Sequence, residues 1–189
     1  MNTDADVDKK IPTLRTRRLI LRPWRIEDAP VVQRLAGAWE IADTTLNIPH
    51  PYEDGVAEEW IGRHEAVYAQ GKGIPLAITL ADDGTIVGAV SLMSIDRRHE
   101  RAEIGYWIGK DHWNNGYCTE TAREIIRFGF ERLGLNRVVG HHLTRNPASG
   151  RVMQKVGMKH EGTLRRHVKR WDKFEDLECY GILKSEWSS

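Results

Sequence analysis

The amino-acid sequence predicts an α/β chain of the α+β kind, a mixed β-sheet covered by helices. Three observations carry that expectation. Apolar patterns of period two and period 3.6 follow one another in the order β–α–α–β–β–β–α–β–α–β–β. No internal repeat, low-complexity tract or long linker interrupts them, so the 189 residues suit one domain of ordinary size. Apolar residues form 40% of the chain and charged residues 29%, as in globular proteins.

Residues 1–10 are polar and acidic and are expected to be a disordered tail preceding a single domain over 11–189. Leu14 to Arg22 alternates and reads as a strand. Ile26 to Gly37 has helical spacing, with Glu27 and Asp28 suited to the positive end of a helix dipole. Thr45 to Tyr52, with Pro49 and Pro51, reads as a loop. Asp54 to Gln70 follows as a second helix whose stripe is Val56, Trp60, Ile61, His64 and Val67. Pro75 to Leu80 and Thr85 to Ile95 form a hairpin turned by Asp82, Asp83 and Gly84. Ala102, Ile104, Tyr106 and Ile108 alternate with Glu103, Gly105 and Trp107, which predicts a strand. The polar loop Lys110 to Gly116 opens a helix bearing Ala122, Ile125, Ile126, Phe130 and Leu133, with Gly134 placed to stop it. Arg137 to Leu143 is a strand. A short helix follows, capped by Asn146, with Pro147 at its first position and Gly157 closing it. His160 to Trp171 and Asp176 to Leu183 are the last strands.

Composition narrows the function. Lys and Arg number 28 against 27 Asp and Glu, so no global field points to nucleic acid or a membrane surface. The apolar runs are strand-sized, and the polar start lacks the apolar core of a signal peptide, so a cytoplasmic location is expected. Cys118 and Cys179 are far apart, without Cys-x-x-Cys spacing, and read as reduced thiols. His141 and His142 are adjacent on a strand, face opposite ways and cannot chelate together, so no metal is expected. Monomer or homodimer is the expectation for assembly, with no sequence signature for either.

The chemistry concentrates in strand, loop and helix over Ala102 to Leu133. Gly116 stands where the backbone needs a positive φ or approaches a ligand closely. Amides at the following helix start have no partner within the helix and lie at its positive pole, which suits a diphosphate. About four such contacts, each contributing about 1.5–3 kcal/mol, would anchor a nucleotide-like ligand without a basic side chain. On spacing alone one glycine before a helix is a weak signal, and an ordinary strand–turn–helix is the commoner reading. Neither a Gly-x-x-x-x-Gly-Lys-Ser/Thr nor a Gly-x-Gly-x-x-Gly pattern occurs, which removes the common triphosphate and dinucleotide fingerprints.

The segments LRTRRLILRPW, RAEIGYWIGKDHWNNGYCTETA and NPASGRVMQKVGM, in this order and spacing, resemble the RimJ/RimL-type branch of the GNAT acetyltransferases. The likeness runs from about Thr13 to Trp187. It implies a mostly antiparallel sheet of about seven strands, splayed where two central parallel strands part, with acetyl-CoA as co-substrate in the opening. It implies that backbone groups of Trp107 and Ile108 pair with the pantetheine arm. It also implies that the loop of Asn114, Asn115, Gly116, Tyr117, Cys118 and Thr119 holds the pyrophosphate. The family loop usually runs Gln/Arg-x-x-Gly-x-Gly/Ala; here Trp113 stands first and Cys118 last. Cysteine is small enough for close backbone approach, whereas Trp113 removes a polar contact.

The implied reaction is transfer of acetyl to an amine, and it needs a base, a donor for the thioester oxygen and a proton for the thiolate. Glu103 faces away from Ala102, Ile104, Tyr106 and Ile108. A carboxylate in a central strand is costly unless it is paired, for instance with an arginine on a neighbouring strand, or used. The resemblance favours use, as a general base acting directly or through water. Ser149 shares the inward face of its helix with Val152, Met153 and Val156, and either satisfies nearby backbone or meets a ligand. The resemblance places it beside the coenzyme sulfur as proton donor. Asn146 is first a cap and second a pantetheine contact. Tyr106 reads as core, and Lys155 as a solvated lysine, with a cofactor phosphate contact as the alternative. Arg165, Arg166, His167, Lys169 and Arg170 read as a solvated face, with contact to an acidic substrate as the alternative. Trp39, Trp60 and Trp171 either line the acceptor cleft or pack. The likeness suggests a protein N-terminal α-amine as acceptor, with a polyamine, amino acid or antibiotic as alternatives. A catalytically idle acyl-CoA-binding regulator and an enzyme using the loop for another nucleotide are the rival classes.

Overall fold

The computed structural model describes residues 10–188. The expected tail therefore lies outside the described residues except for Lys10. Eight strands form one sheet in the order β1-β2-β3-β4-β5-β6-β8-β7. The ranges are β1 Leu14–Arg15, β2 Leu19–Arg22, β3 Ile74–Leu80, β4 Ile86–Asp96, β5 Arg101–Ile108, β6 Arg137–Leu143, β7 Lys159–Arg170 and β8 Lys173–Leu183. All neighbours are antiparallel except β5 and β6, which are parallel. The eighth strand arises because Leu14 to Arg22 is two strands. The Thr16 N–H donates to the Leu19 carbonyl at 2.9 Å and the Thr16 hydroxyl accepts from the Leu19 N–H at 3.0 Å, folding the segment back on itself.

Helices cover both faces. On one side α5 (Tyr117–Glu131) and α6 (Pro147–Lys155) pack over Ile104, Ile108, Val138 and Ile182. Ala122, Ile125, Ile126 and Phe130 recur at helical spacing and are almost fully buried, each large side chain contributing about 1.5–3 kcal/mol. On the other side α1 (Ala29–Ala36) and α3 (Val56–Gly62) pack over Ala77, Ala89 and Trp107. The helix expected over Asp54 to Gln70 is divided. Gly55 takes φ +86° ahead of α3, and after Gly62, a weak helix former, the chain restarts as α4 (His64–Ala69). A further short helix, α2 (Trp39–Thr44), stands directly ahead of the segment read as a loop.

The feature that shapes the site is the β5–β6 ladder. It runs from Arg101/Arg137 to Ile104/Gly140 and then stops, while β5 stays paired to β4 as far as Ile108 and β6 to β8 as far as Leu143. Beyond that point the two strands part. Truncating the core beneath the opening, Ile125→Ala, should lower unfolding free energy by about 2–5 kcal/mol in chemical denaturation.

Candidate active site

The opening is lined by main chain on the β5 side. The Gly109 N–H donates to the Val87 carbonyl at 2.8 Å, which fixes the parity of the β4–β5 ladder. Backbone groups of Trp107 and Gly105 are directed to β4, and those of Tyr106 and Ile108 to the opening. This corrects the expectation for Trp107, whose main chain is committed to Ala89; its side chain packs on the α1 side. The Ile108 carbonyl accepts from Trp113 Nε1 at 2.6 Å. Trp113 therefore props the loop against the end of β5 in place of the missing polar contact.

At the loop, Asn114 and Gly116 take φ of +62° and +77°, and Gly116 caps α5 in the left-handed conformation. Asn115 folds its side-chain amide back onto the His112 and Trp113 carbonyls. Among the described residues the amides of Asn114 to Thr119 have no protein acceptor. They form a set of donors at the positive end of a 15-residue helix, a fit for a diphosphate. Arg18, absent from the sequence expectation, stands beside them. Its Nη1 donates to the Asn115 carbonyl at 2.9 Å, its guanidinium lies 4.8 Å from the Tyr117 ring centroid, and its Nε meets Glu120 at 2.7 Å. Burial would raise the Glu120 carboxyl, but hydrogen bonds from Thr16 and Arg18 outweigh it and hold the group below its ordinary range. Cys118 packs against the core, and burial pushes its thiol up to about 12, so it is a neutral small residue.

Two side-chain pairs flank the opening on opposite faces of the sheet. On the α5–α6 face, Ser149 Oγ lies 3.1 Å from the Tyr106 hydroxyl, which also reaches the Ser149 carbonyl at 3.2 Å. Burial drives the Tyr106 phenol well above its usual value, so it stays protonated. Tyr106 packs against the core as expected, and in addition orients Ser149. Asn146 caps α6, accepting from the Ser149 N–H at 3.3 Å, and donates to the Thr44 carbonyl at 3.2 Å. On the other face Glu103 is paired, but with His141 and not with an arginine: Nδ1 to Oε1 is 2.9 Å. Alternation from Glu103, carried across the parallel ladder, is the signal that would have found this histidine. His142 points the other way, beneath Gly150, with its Nδ1 on the Leu143 carbonyl at 2.8 Å.

Against α1 lies α2, fastened from afar. Arg145 donates to Asp43 Oδ2 and to the Asp43 carbonyl, each at 2.8 Å, and to Glu175 at 2.9 Å. Arg170 donates to the carbonyls of Ala42, at 2.7 Å, and Ile48. It is therefore a structural residue, not part of a solvated face; Arg165, Arg166 and Lys169 are exposed. Trp171 donates to Asp43 at 3.2 Å and stacks on Trp39 at 5.0 Å, whereas Trp60 packs between Trp24 and His64. Lys155 is exposed. Among the described residues no three His, Cys, Asp or Glu side chains cluster as a metal site, and no helix is long and apolar enough to cross a membrane.

A sheet opened between its parallel strands, beside a helix start with unpartnered amides, defines the class of acyl-CoA-dependent transferases. The profile of the Acetyltransferase (GNAT) domain matches residues 18–159. The chain belongs to that family and is an N-acetyltransferase. It is 31% identical over 173 residues to the uncharacterised N-acetyltransferase YoaA of Bacillus subtilis, covering 92% of this chain and 97% of YoaA. It is 25% identical over 112 residues to the ribosomal-protein-serine acetyltransferase of Escherichia coli, covering 59% of this chain and 63% of that one. Its fold superposes on Mycobacterium smegmatis RimJ, solved with a CoA disulfide, at a TM-score of 0.87 and 22% identity over 96% of this chain and 91% of RimJ.

Gly116→Ala places a side chain at φ +77° with only Arg18 within 4 Å, so the cost is conformational. We expect about 1 kcal/mol of lost stability in denaturant titrations and weaker CoA binding by calorimetry.

Proposed function

We propose that the chain moves acetyl directly from acetyl-CoA to a primary amine in a ternary complex, the acceptor being a protein N-terminal α-amine. The observation that carries this is the placement of Tyr106–Ser149 and Glu103–His141 on opposite faces of the same opening. Acetyl-CoA supplies the thioester as co-substrate. The amides of Asn114 to Thr119 hold its pyrophosphate, and Tyr106 and Ile108 present main-chain groups to the pantetheine arm, with Asn146 on the far side.

The Glu103 face takes a proton from the acceptor ammonium. The freed amine attacks the thioester carbon, forming the C–N bond, and the C–S bond breaks toward the Ser149 side. Ser149 gives its proton to the leaving thiolate and is restored by the proton that amide formation sheds. The neutral Tyr106 phenol keeps the serine hydroxyl aimed.

Two considerations support an α-amine. An α-amine titrates about 2.5 units below a lysine side chain, so baring its lone pair costs roughly 3.4 kcal/mol less. The likeness to a ribosomal-protein-serine acetyltransferase points the same way. The test is a thiol-release screen with acetyl-CoA against N-terminal peptides, polyamines and aminoglycosides. Turnover confined to the peptides is the expected result, and turnover confined to a polyamine or aminoglycoside would move the acceptor to the small amines. CoA binding without turnover on any amine would make the chain a binding regulator, and preferential binding of ATP or NAD would remove the reading.

Two variants probe the faces separately. Ser149→Ala should slow thiol release by about 10-fold or more, with CoA affinity little changed. Glu103→Gln should lower kcat by about 100-fold with unaltered CoA affinity in calorimetry.

A further inference from the structure

We propose that His141, not the Glu103 carboxylate itself, is the group that takes the proton from the acceptor ammonium, through Nε2, with Glu103 as its positioning residue. The assignment rests on the acyl-transfer reading above and names which atom of that face acts.

Position is the first argument. Glu103 stands opposite Val139, inside the β5–β6 ladder, which ends at Ile104 and Gly140. His141 is the first β6 residue beyond that end, on the same face as Glu103, so its ring lies at the mouth of the opening while the carboxylate reaches forward to it. The contact is the second argument. With the carboxylate accepting from Nδ1–H at 2.9 Å, the neutral imidazole is held as the tautomer whose Nε2 carries the lone pair. Among the described residues Nε2 has no protein partner, and it is not one of the polar atoms shut away from solvent. Its neighbour His142 is the contrast, since its Nε2 is enclosed and unpartnered beneath α6.

Proton affinity favours the ring. An α-ammonium lies about 3.5 units above an ordinary glutamate but only about 1.3 above an ordinary histidine. A carboxylate would hold the proton a few thousandfold less well than the amine, and an imidazole roughly 20-fold less well. The charged groups around the ring narrow that gap further. Glu103 lies on β5, and Glu161 on β7 is held by Arg137 of β6; across on β8 stands Cys179, opposite His141, whereas Glu178 stands opposite His142 and is bonded by Thr144, His160 and Thr163. The hydrogen bond to Glu103 raises the His141 pKa above its usual value, burial opposes it, and the charges of Glu103 and Glu161 add to the rise. The step balances. Nε2 gains the ammonium proton, the nitrogen lone pair forms the C–N bond, the C–S electrons leave with sulfur, and the imidazolium later returns its proton to water.

The experiment measures kcat/KM for thiol release against pH, with an N-terminal peptide, for the wild type, His141→Gln and Glu103→Gln. NMR titration of the His141 ring in the wild type and Glu103→Gln runs beside it. We expect the acid limb of the wild-type profile to match the His141 titration. A raised histidine pKa means the base form is lost as pH falls through that raised value, so Glu103→Gln should move limb and titration together to lower pH. His141→Gln should lose about 100-fold and the limb itself, while exogenous imidazole restores part of the rate to His141→Ala. CoA affinity of each variant should stay within about threefold of wild type, which separates chemistry from folding. An active wild type matched within about threefold by His141→Gln, with its limb in place, overturns the assignment alone. A limb that stays put while the ring titration moves overturns it as well. A wild type inert toward every amine would instead remove the acyl-transfer reading, and this assignment with it.

Discussion

Between Ile104 and Ile108 the β5 strand is hydrogen-bonded on one edge only, because β6 turns away after Gly140 to stay with β8. Main-chain groups in the middle of a sheet rarely stand without partners, since each unpaired buried group costs about 1–3 kcal/mol. The opening is tolerated because its edge reaches solvent and can receive an extended ligand arm as an added strand. Gly140, where the ladder ends, lies against Met153 of α6 and Ile104 of β5: an added Cβ would stand 2.9 Å from the Met153 methyl. The helix that packs there also carries Ser149.

A pleated strand sends neighbouring side chains to opposite faces, and this separates the two proton-handling pairs without any further device. Tyr106 goes to the α5–α6 side and Glu103 to the other. In the proposed mechanism a proton is removed from the nucleophile on one face and supplied to the leaving group on the other. Opposite tasks are kept apart by the sheet itself, so neither pair quenches its counterpart. The buried phenol and thiol of Tyr106 and Cys118 remain neutral for the same reason, burial among apolar neighbours.

The segment packed against α1 depends on distant chain. Helix α2 has only six residues, too short to be stable alone, and its last-turn carbonyls need donors. Arg170, Arg145 and Asn146 supply them, reaching back more than 100 residues to Ala42, Asp43 and Thr44. Asn146 thereby links α2 to the cap of the Ser149 helix, and Trp171 stacks on Trp39. The position of α2 is consequently set by the β6–α6 connection and the β7–β8 turn jointly.

Taken alone, the sequence determined the order of elements, the stripe of α5, the cap at Asn146, and the parity that sends Glu103 and Tyr106 to different faces. These are local properties, written in periods of two and 3.6 and in single turn residues. The motif segments also pointed to the family, which the domain profile bears out. Only the tertiary structure decided that Leu14 to Arg22 folds back at Thr16 and that a helix forms at Trp39. It likewise decided that Arg18 braces the loop ahead of α5, that Trp107 spends its main chain on β4, and that Glu103 finds His141. Each of these depends on partners far apart in the chain, and periodicity records which face a residue takes but not what stands on the neighbouring strand.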